Sequence, residues 1–553
     1  MADVKIERAI VSVYDKTGLV DFVKELVRMG VEILSTGGTR KLLAENGVKV
    51  RDISEYTGFP EMMDGRVKTL HPRVHGGLLA VRDNPEHVAA MKANGIQRID
   101  MVVVNLYPFE ATIARPGVTL PEAIEQIDIG GPSMIRSSAK NHAYVTVVTS
   151  PKQYGLVLDE MKSHGGATTI ETRAKFAREV FATTSNYDGT IANYLAGQAG
   201  ATPDVAVIAG RKFADIPKGE NGHQSPAQLF ATGGSDPLGL PNFKVIEGLP
   251  LSYNNWTDID RLLNVLTTAG AGWKLNAMSG TPKIAVLCKH GNPCGAAVAA
   301  DEETAVRKAV LGDTRAAFGG LLMCNFTVTE KLAEAMITTG MSGNNVQKFD
   351  SVIAPAFAEG AASVLERKKG KCRLVVNERL ADSWHLMDAH PRFRYTRGGF
   401  LVQPAYGFVL DLADKALVVS GAGLASLSNE QKASLLLALA VNHKSNSNTI
   451  TLVSESMLIG NGVGQQDRVG AAELVVKRAV DAGHKDKIAG AVACSDSFFP
   501  FPDAPEVLIN AGVKTIFSTT GSANDKLTQE LCRKRGVTLI QLPDAAARGF
   551  FGH

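Results

Sequence analysis

At 553 residues the chain is longer than one hydrophobic core supports and calls for two to four domains. Its 45% hydrophobic and 21% charged residues are those of a globular protein, and a formal net charge of +3 argues against a broad nucleic-acid-binding face while leaving room for cations gathered at anionic pockets. The opening stretch MADVKIERAIVSVYDK carries charges at Asp3, Lys5, Glu7 and Arg8, unlike a secretory leader, and no uninterrupted apolar run reaches membrane length, so a cytoplasmic location is expected.

RAIVSV predicts a strand, YDKTG (14–18) a loop, and residues 19–29 an amphipathic helix. VEILS predicts the next strand, TGGT a loop and RKLLAENG a helix; further strands are predicted at VKVRDI, DMVVVNLY and AYVTVVT. Short apolar strands separated by helices imply an α/β domain over 1–150. Its parallel sheet is covered on both faces, and ligands sit beyond the carboxyl ends of the strands. Residues 151–199 predict a helical connection, with the small-residue stretch AGQAGATPD as the boundary. From 200 to 553 strands and helices alternate again, with strands expected near 284–288, 320–325, 350–354, 399–403, 449–453, 490–494 and 514–517. That length suits two α/β subdomains, divided near 375–400, and the Cys- and Pro-bearing loops CKHGNPCG and ACSDSFFPFP hint at duplication.

Several loops of the first domain suit anions. STGGT (35–39) lies between a strand and a helix, where Gly37 and Gly38 let the backbone approach a ligand and the first helical amides face it; a plain turn is the alternative. YDKTG holds the same place after the first strand and adds Lys16 and Thr17. GRVKTLHPRVHGG (65–77) packs Arg66, Lys68, Thr69, His71, Arg73 and His75 among glycines and a proline, a mixture that favours a nucleotide phosphate site over a solvated basic loop. QIDIGGPSMIRSSAKNH (126–142) supplies Asp128 and Lys140, an acid and an amine able to exchange protons with a substrate.

KIAVLCKHGNPCGAAVA (283–299) runs an apolar strand into C-x-H-x3-C. A deaminase-type zinc site needs H-x-E and then P-C-x-x-C; here no acid closely follows His290 and Ala297 stands where the second cysteine belongs, so no metal is expected. Cys294 is expected to open an apolar helix and to serve packing, as are the other cysteines at 288, 324, 372, 494 and 532. Lys289 and His290, an adjacent cation and neutral base after a strand, suit chemistry better.

In chain order, SVYDKTGL, STGGT, TGFPEMMDGRVKTLHPRVHGGLLA, NLYPF, EQIDIGG, SAKNH, LSYNN, KHGNPCGAA, AAFGG, IAP, RGG, GNGVGQQDR, SDSFFPF and TTGSANDK cover nearly the whole chain. Together they resemble the bifunctional purine-biosynthesis enzymes that join an inosine monophosphate (IMP) cyclohydrolase to an aminoimidazole carboxamide ribonucleotide (AICAR) transformylase. The resemblance implies a methylglyoxal-synthase-like first domain and a transformylase domain of two cytidine-deaminase-like subdomains without zinc. It implies 10-formyltetrahydrofolate as co-substrate, no catalytic metal, a structural monovalent cation and a homodimer. For ring closure it implies Lys68, Tyr107, Asp128 and Lys140 as catalytic residues, with the nucleotide held by Tyr14, Asp15, Lys16, Thr36, Gly37, Gly38, Thr39, Arg66, Thr69 and Asn105. For formyl transfer it implies His290 as the base and Lys289 as its partner, with Gly319, Asp350, Asn448, Arg468, Phe498 and Arg548 around the nucleotide and Asp503, Ser522 and Ala523 near the folate.

The chain departs from the family pattern twice. PKGENGHQ (217–224) stands where RYGENPHQ is usual, so Lys218 meets the nucleotide as a point charge without the two-pronged contact of an arginine. The final ARGFFGH differs from the usual RHF-type ending. Two alternatives therefore stay open at the level of sequence: an active cyclohydrolase joined to a binding or assembly module, and a nucleotide sensor without turnover.

Overall fold

The computed structural model describes residues 3–63, 65–199, 204–232, 236–421 and 423–551. It divides into two compact units, Met1–Arg211 with Thr232–Ser235, and Lys212–Ala231 with Asp236–His553. Residues 200–203 of the expected boundary stretch lie outside the described residues.

In the first unit five strands form a parallel sheet: β1 (Arg8–Val11), β2 (Glu32–Ser35), β3 (Arg51–Asp52), β4 (Met101–Val103) and β5 (Thr146–Val148), in the order β3-β2-β1-β4-β5. Helix α1 (Leu19–Arg28) buries Leu19, Phe22, Val23 and Leu26, the face its sequence spacing predicts. α2 (Gly37–Glu45) begins inside STGGT, α3 (Pro72–Leu79) inside GRVKTLHPRVHGG and α4 (Gly130–Lys140) at the Gly130–Gly131 pair. VKVRDI yields only the two residues of β3, because the Asp52 carboxylate accepts the Ser54 N–H and starts a helical turn over Ile53–Thr57. The expected helical connection belongs to this unit: from α5 (Ile170–Ala199), Arg173 donates to the carbonyls of His142 and Ala143.

The second unit is built on one twelve-stranded sheet whose strand order reads as two copies of one pattern. The first copy runs β6 (Lys244–Glu247), α6 (Tyr253–Leu275), β7 (Lys283–Lys289), β8 (Asn292–Ala299), α7 (Glu302–Leu311), β9 (Leu321–Cys324), α8 (Glu330–Thr338), β10 (Ser351–Ala354), α9 (Ala361–Leu365) and β11 (Arg373–Val376). The second runs β12 (Val418–Ser420), α10 (Asn429–Asn442), β13 (Ile450–Ser454), β14 (Met457–Gly462), α11 (Arg468–Asp481), β15 (Val492–Ser495), α12 (Asp503–Ala511), β16 (Thr515–Thr520), α13 (Asp525–Lys534) and β17 (Thr538–Pro543). Outward from the centre the orders are β8-β7-β9-β10-β11-β6 and β14-β13-β15-β16-β17-β12, joined by the antiparallel pair Ala297–Met457. One core beneath α6 and α10 draws on both copies, through Ile259, Leu262, Val286 and Met323 from the first and Leu435, Leu439, Val453 and Phe517 from the second.

The duplication is real in topology, but CKHGNPCG and ACSDSFFPFP are not counterparts. CKHGNPCG forms the β7–β8 hairpin, ACSDSFFPFP runs out of the end of β15, and the hairpin's counterpart is the turn Glu455–Ser456 between β13 and β14. Cys294 does not open a helix; it lies in β8. His290 and Gly291 adopt φ 53° and 73°, a two-residue hairpin turn that reverses the chain at once. GAAVA is then flattened as a strand because α7 presses on it: a Cβ on Gly295 would run into the Ala309 carbonyl. The 399–403 strand forms, outside the main sheet, as a ribbon pairing Arg392–Thr396 with Gly399–Gln403.

Candidate functional site

In the first unit the loops beyond the carboxyl ends of β1, β2 and β4 converge with the N-termini of α2 and α4. Asn105 fixes the YDKTG loop: its side chain accepts the N–H groups of Tyr14 (2.7 Å) and Asp15 (2.9 Å) and donates to the Asp15 carbonyl. The buried Thr39 hydroxyl is bonded both ways to the Val13 backbone, and Thr36, buried at the cap of α2, lies 3.2 Å from the Ser12 hydroxyl. Asn105, Thr36 and Thr39 thus set the cradle, while Gly37 and Gly38 leave it open. Lys16 is exposed at the rim, and Arg66 pairs there with Glu125.

Lys68 stands over this cradle. Its Nζ lies 3.4 Å from where a Cβ on Gly65 would be and 4.0 Å from that on Gly37. Asp128 faces it from the start of α4, its carboxylate accepting the Gly131 N–H at 2.8 Å, and a Cβ on Gly130 would stand 2.8 Å from the Thr69 hydroxyl. Burial pushes the Asp128 carboxyl up, against the hydrogen bonds from Gly131 and Tyr107 and the charge of Lys68. Burial likewise raises the Tyr107 phenol, with Asp128 and Glu61 adding to it, and its ring lies 5.9 Å from that of Tyr14. An ammonium, a carboxyl held toward neutrality and a phenol therefore meet beside open helix amides, an arrangement able to hold an anion and move protons.

Lys140 does not join this group. It is the exposed last residue of α4, about 15 Å from Gly130 by helical rise. α3 and α4 run side by side, so that Gly130 meets Thr69 at one end and the Asn141 amide donates to the Leu78 carbonyl (2.7 Å) at the other. Sequence reasoning paired Asp128 with Lys140 by their motif; the intervening helix separates them. It missed Tyr187 of α5, whose hydroxyl accepts the Asp128 N–H at 2.8 Å and donates to Gln126.

In the second unit the β7–β8 hairpin presents Lys289 and His290. Lys289 Nζ donates to the Phe318 carbonyl at 2.6 Å, beside Gly319, and His290 is exposed at the tip. Beneath the turn, Asp258 of α6 accepts the Gly291 N–H at 2.7 Å and the Cys288 thiol at 3.4 Å. Burial pushes the Asp258 carboxyl up, against the hydrogen bonds from Gly291 and Cys288 and the charge of His290. A capping box between Ser252 and Asn255 starts α6 and so sets Asp258. Burial raises the thiols of Cys288 and Cys294, which suits packing and not nucleophilic attack.

Strand directions bring the remaining predicted residues to this sheet edge. β9 and β10 start there, which places Gly319 and Asp350 together through the Asp350 N–H bond to Gly320, with Asp350 also paired to Arg367 at 2.8 Å. β15, β16 and β17 end there. Arg468 reaches the buried Asp496 at 3.1 Å, and Arg548 pairs with Asp544. The Phe498 ring lies 3.3 Å from a Cβ position on Gly521, next to Ser522 and Ala523; Asp503 opens α12 close by in sequence. Lys218 is exposed in a loop tied to α6 by the Asn254 bond to the Glu220 carbonyl. Asn448 is engaged with Gln465, whereas Asn446, which sequence reasoning passed over, donates its N–H to Asn292 of the hairpin at 3.3 Å. Nothing local in the sequence separates these two asparagines.

Two α/β units, one with an ammonium–phenol–carboxyl group over helix amides and one with a Lys–His turn on a buried acid, define a two-site α/β enzyme class. Residues 18–133 match the MGS-like domain and residues 138–478 the AICARFT/IMPCHase bienzyme family. The "Bifunctional purine biosynthesis protein PurH" of Bacillus mycoides is 41% identical over 535 residues, 97% of this chain and 98% of its own. The protein of the same description from Chlorobium luteolum is 42% identical over 545 residues, 98% of each. Among solved structures, the "Crystal structure of ForH" is 34% identical over 35% of this chain and all of its own, at a TM-score of 0.33. The chain belongs to the AICARFT/IMPCHase bienzyme family.

Proposed function

We propose that this protein performs the last two steps of IMP synthesis. It transfers a formyl group from 10-formyltetrahydrofolate to AICAR and then closes the formamido product to IMP. The Lys289–His290 turn seated on Asp258, in a chain of this family, carries the reading.

In formyl transfer the 5-amino group of AICAR attacks the formyl carbon, and His290 takes the amine proton. As the carbon–N10 bond breaks, Lys289 offsets the developing charge and the proton taken from the amine passes to the departing folate nitrogen, so that tetrahydrofolate and formamido nucleotide result. Arg468, Arg548, Asn448, Gly319 and Asp350 lie on the edge where the nucleotide would sit, and Phe498, Ser522 and Ala523 offer the folate an aromatic face and a turn. In ring closure the carboxamide nitrogen attacks the formyl carbon and water leaves. Lys68 stabilises the oxyanion, while Tyr107 and Asp128, whose phenol and carboxyl burial pushes up, pass protons to the departing oxygen.

A homodimer fits the ribbon at 392–403, which leaves Phe393, Tyr395, Leu401 and Val402 exposed. Among the described residues no helix is long and apolar enough to cross a membrane, which accords with the proposed cytoplasmic location. The test follows tetrahydrofolate and IMP together, with AICAR and 10-formyltetrahydrofolate as substrates. Both should appear, and absence of tetrahydrofolate alongside closure of added formamido nucleotide would reduce the protein to a cyclohydrolase.

A further inference from the structure

The segment after β17 brings the Phe551 ring among cationic side chains. Phe551 is half-buried, and its ring lies 4.0 Å from the Arg261 guanidinium carbon, 5.1 Å from that of Arg392 and 5.8 Å from Lys444 Nζ. Two guanidinium groups and an amine around one ring exceed what burial of a phenyl group requires, and each such contact is worth more when desolvated. Here the cover is uneven: Lys444 is 2% exposed, with its Nζ on the Tyr406 carbonyl at 3.2 Å and its amine pushed down to about 7 by burial, while Arg261 and Arg392 are half-buried.

The ring is connected to the His290 turn by two routes. Phe551 pairs with Asn446 as an isolated β-bridge, and Asn446 donates its N–H to Asn292, the first residue of β8. Arg261, one turn along α6 from Asp258, donates to the Lys444 carbonyl and, at 3.4 Å, to Asn446 Oδ1. Asp258 itself holds Gly291. Upstream, the Gly549 N–H bonds to the Asp496 carbonyl at 2.8 Å, and Gly549 lies so close to the His443 ring that a Cβ there would overlap it. The segment therefore enters in one register and delivers Phe551 to one place.

We propose that Phe551 is a positioning residue for formyl transfer: clamped by Arg261, Arg392 and Lys444, it fixes Asn446 and through Asn292 the turn that carries His290. This rests on the formyl-transfer reading above. It also gives a role to the ending in which this chain departs from its family, since the ring that reaches the clamp is the second of the Phe550–Phe551 pair.

The experiment compares wild type with Phe551→Ala, Phe551→Leu and Phe551→Trp in the whole protein. It measures kcat and KM for AICAR, closure of added formamido nucleotide, and the imidazole resonances of His290 in histidine-labelled protein, assigned with His290→Gln. Phe551→Ala and Phe551→Leu should lower kcat for formyl transfer by about tenfold or more, because misplacement of a reacting group is felt at that scale. KM for AICAR should stay within about threefold, and closure should be unchanged. Phe551→Trp should restore kcat, since tryptophan offers the best face to a cation. The His290 resonances should move in the Ala variant and return in the Trp variant. Full kcat in Phe551→Ala, equal rates for the Leu and Trp variants, a change confined to KM, or unmoved His290 resonances would each overturn the proposal. Should wild type form no tetrahydrofolate, the reaction assignment fails, and the resonances still decide whether the clamp holds the turn. Should Phe551→Ala fail to fold, Arg261→Lys keeps the charge but loses the paired donations to Lys444 and Asn446. It should move the same resonances, and their constancy would refute the route.

Discussion

The β7–β8 and β13–β14 hairpins are one device used twice. Each turns on two residues of positive φ, His290 and Gly291 in one, Glu455 and Ser456 in the other at 52° and 55°. In each, a side chain from the helix beneath accepts the N–H of the second turn residue: Asp258 of α6 takes Gly291 at 2.7 Å, and Ser434 of α10 takes Ser456 at 2.9 Å. The chemistry is not repeated. One turn places Lys289 and His290 over a carboxyl that burial holds toward neutrality, while the other carries a glutamate paired with Lys487. Duplication therefore conserves the backbone solution, and function depends on which side chains the turn and its supporting helix supply.

The largest break in the comparison should come at the turns themselves. His290→Ala should lower formyl transfer by about a thousandfold, as loss of a general base does, while Glu455→Ala leaves tetrahydrofolate formation near wild type. Within the first unit, Lys68→Ala should slow closure of added formamido nucleotide by about a hundredfold, the scale of a lost oxyanion partner. Lys140→Ala, at the far end of α4, should slow it distinctly less; the reverse order in a stopped-flow ultraviolet assay would return the catalytic amine to Lys140. Of the two supports, Asp258→Asn should reduce formyl transfer by about tenfold through the turn, whereas Ser434→Ala should cost only about 1 kcal/mol of stability. The smallest effect concerns pH. Burial raises the Asp128 carboxyl above its ordinary value of 3.8, so between the unfolded and folded values the folded protein keeps a proton that the unfolded chain has released. The stability this contributes is full below the unfolded value and is lost as pH rises through the folded one. Asp128→Asn, which retains an acceptor for Gly131, should therefore raise the calorimetric midpoint at neutral pH, with the gain fading toward acid, even as closure is impaired.

Much of this was legible in the chain. The β1–α1 and β2–α2 alternation follows from hydrophobic spacing, and Gly37 and Gly38 mark an open loop where α2 begins. CKHGNPCG announced a polar turn at a strand end because Gly291 can take positive φ. GAAVA was misread as a helix start, since small residues favour a helix locally, and only the pressure of α7 on Gly295 selects the strand. Asp128 and Lys140 were joined by motif although an eleven-residue helix parts them. Tyr187, Asp258 and Asn446 were missed because each reaches its partner across 59, 33 and 154 positions, and no local pattern records such distances.

By itself the sequence determined the α/β class, the loops that approach an anion and the Lys–His pair, because periodicity, glycine and adjacent side chains act over a few residues. Tertiary structure alone decided that two copies merge into one sheet, which of the two lysines faces Asp128, and what lies beneath the His290 turn. Strand pairing and burial set those outcomes, and both depend on residues far apart in the chain.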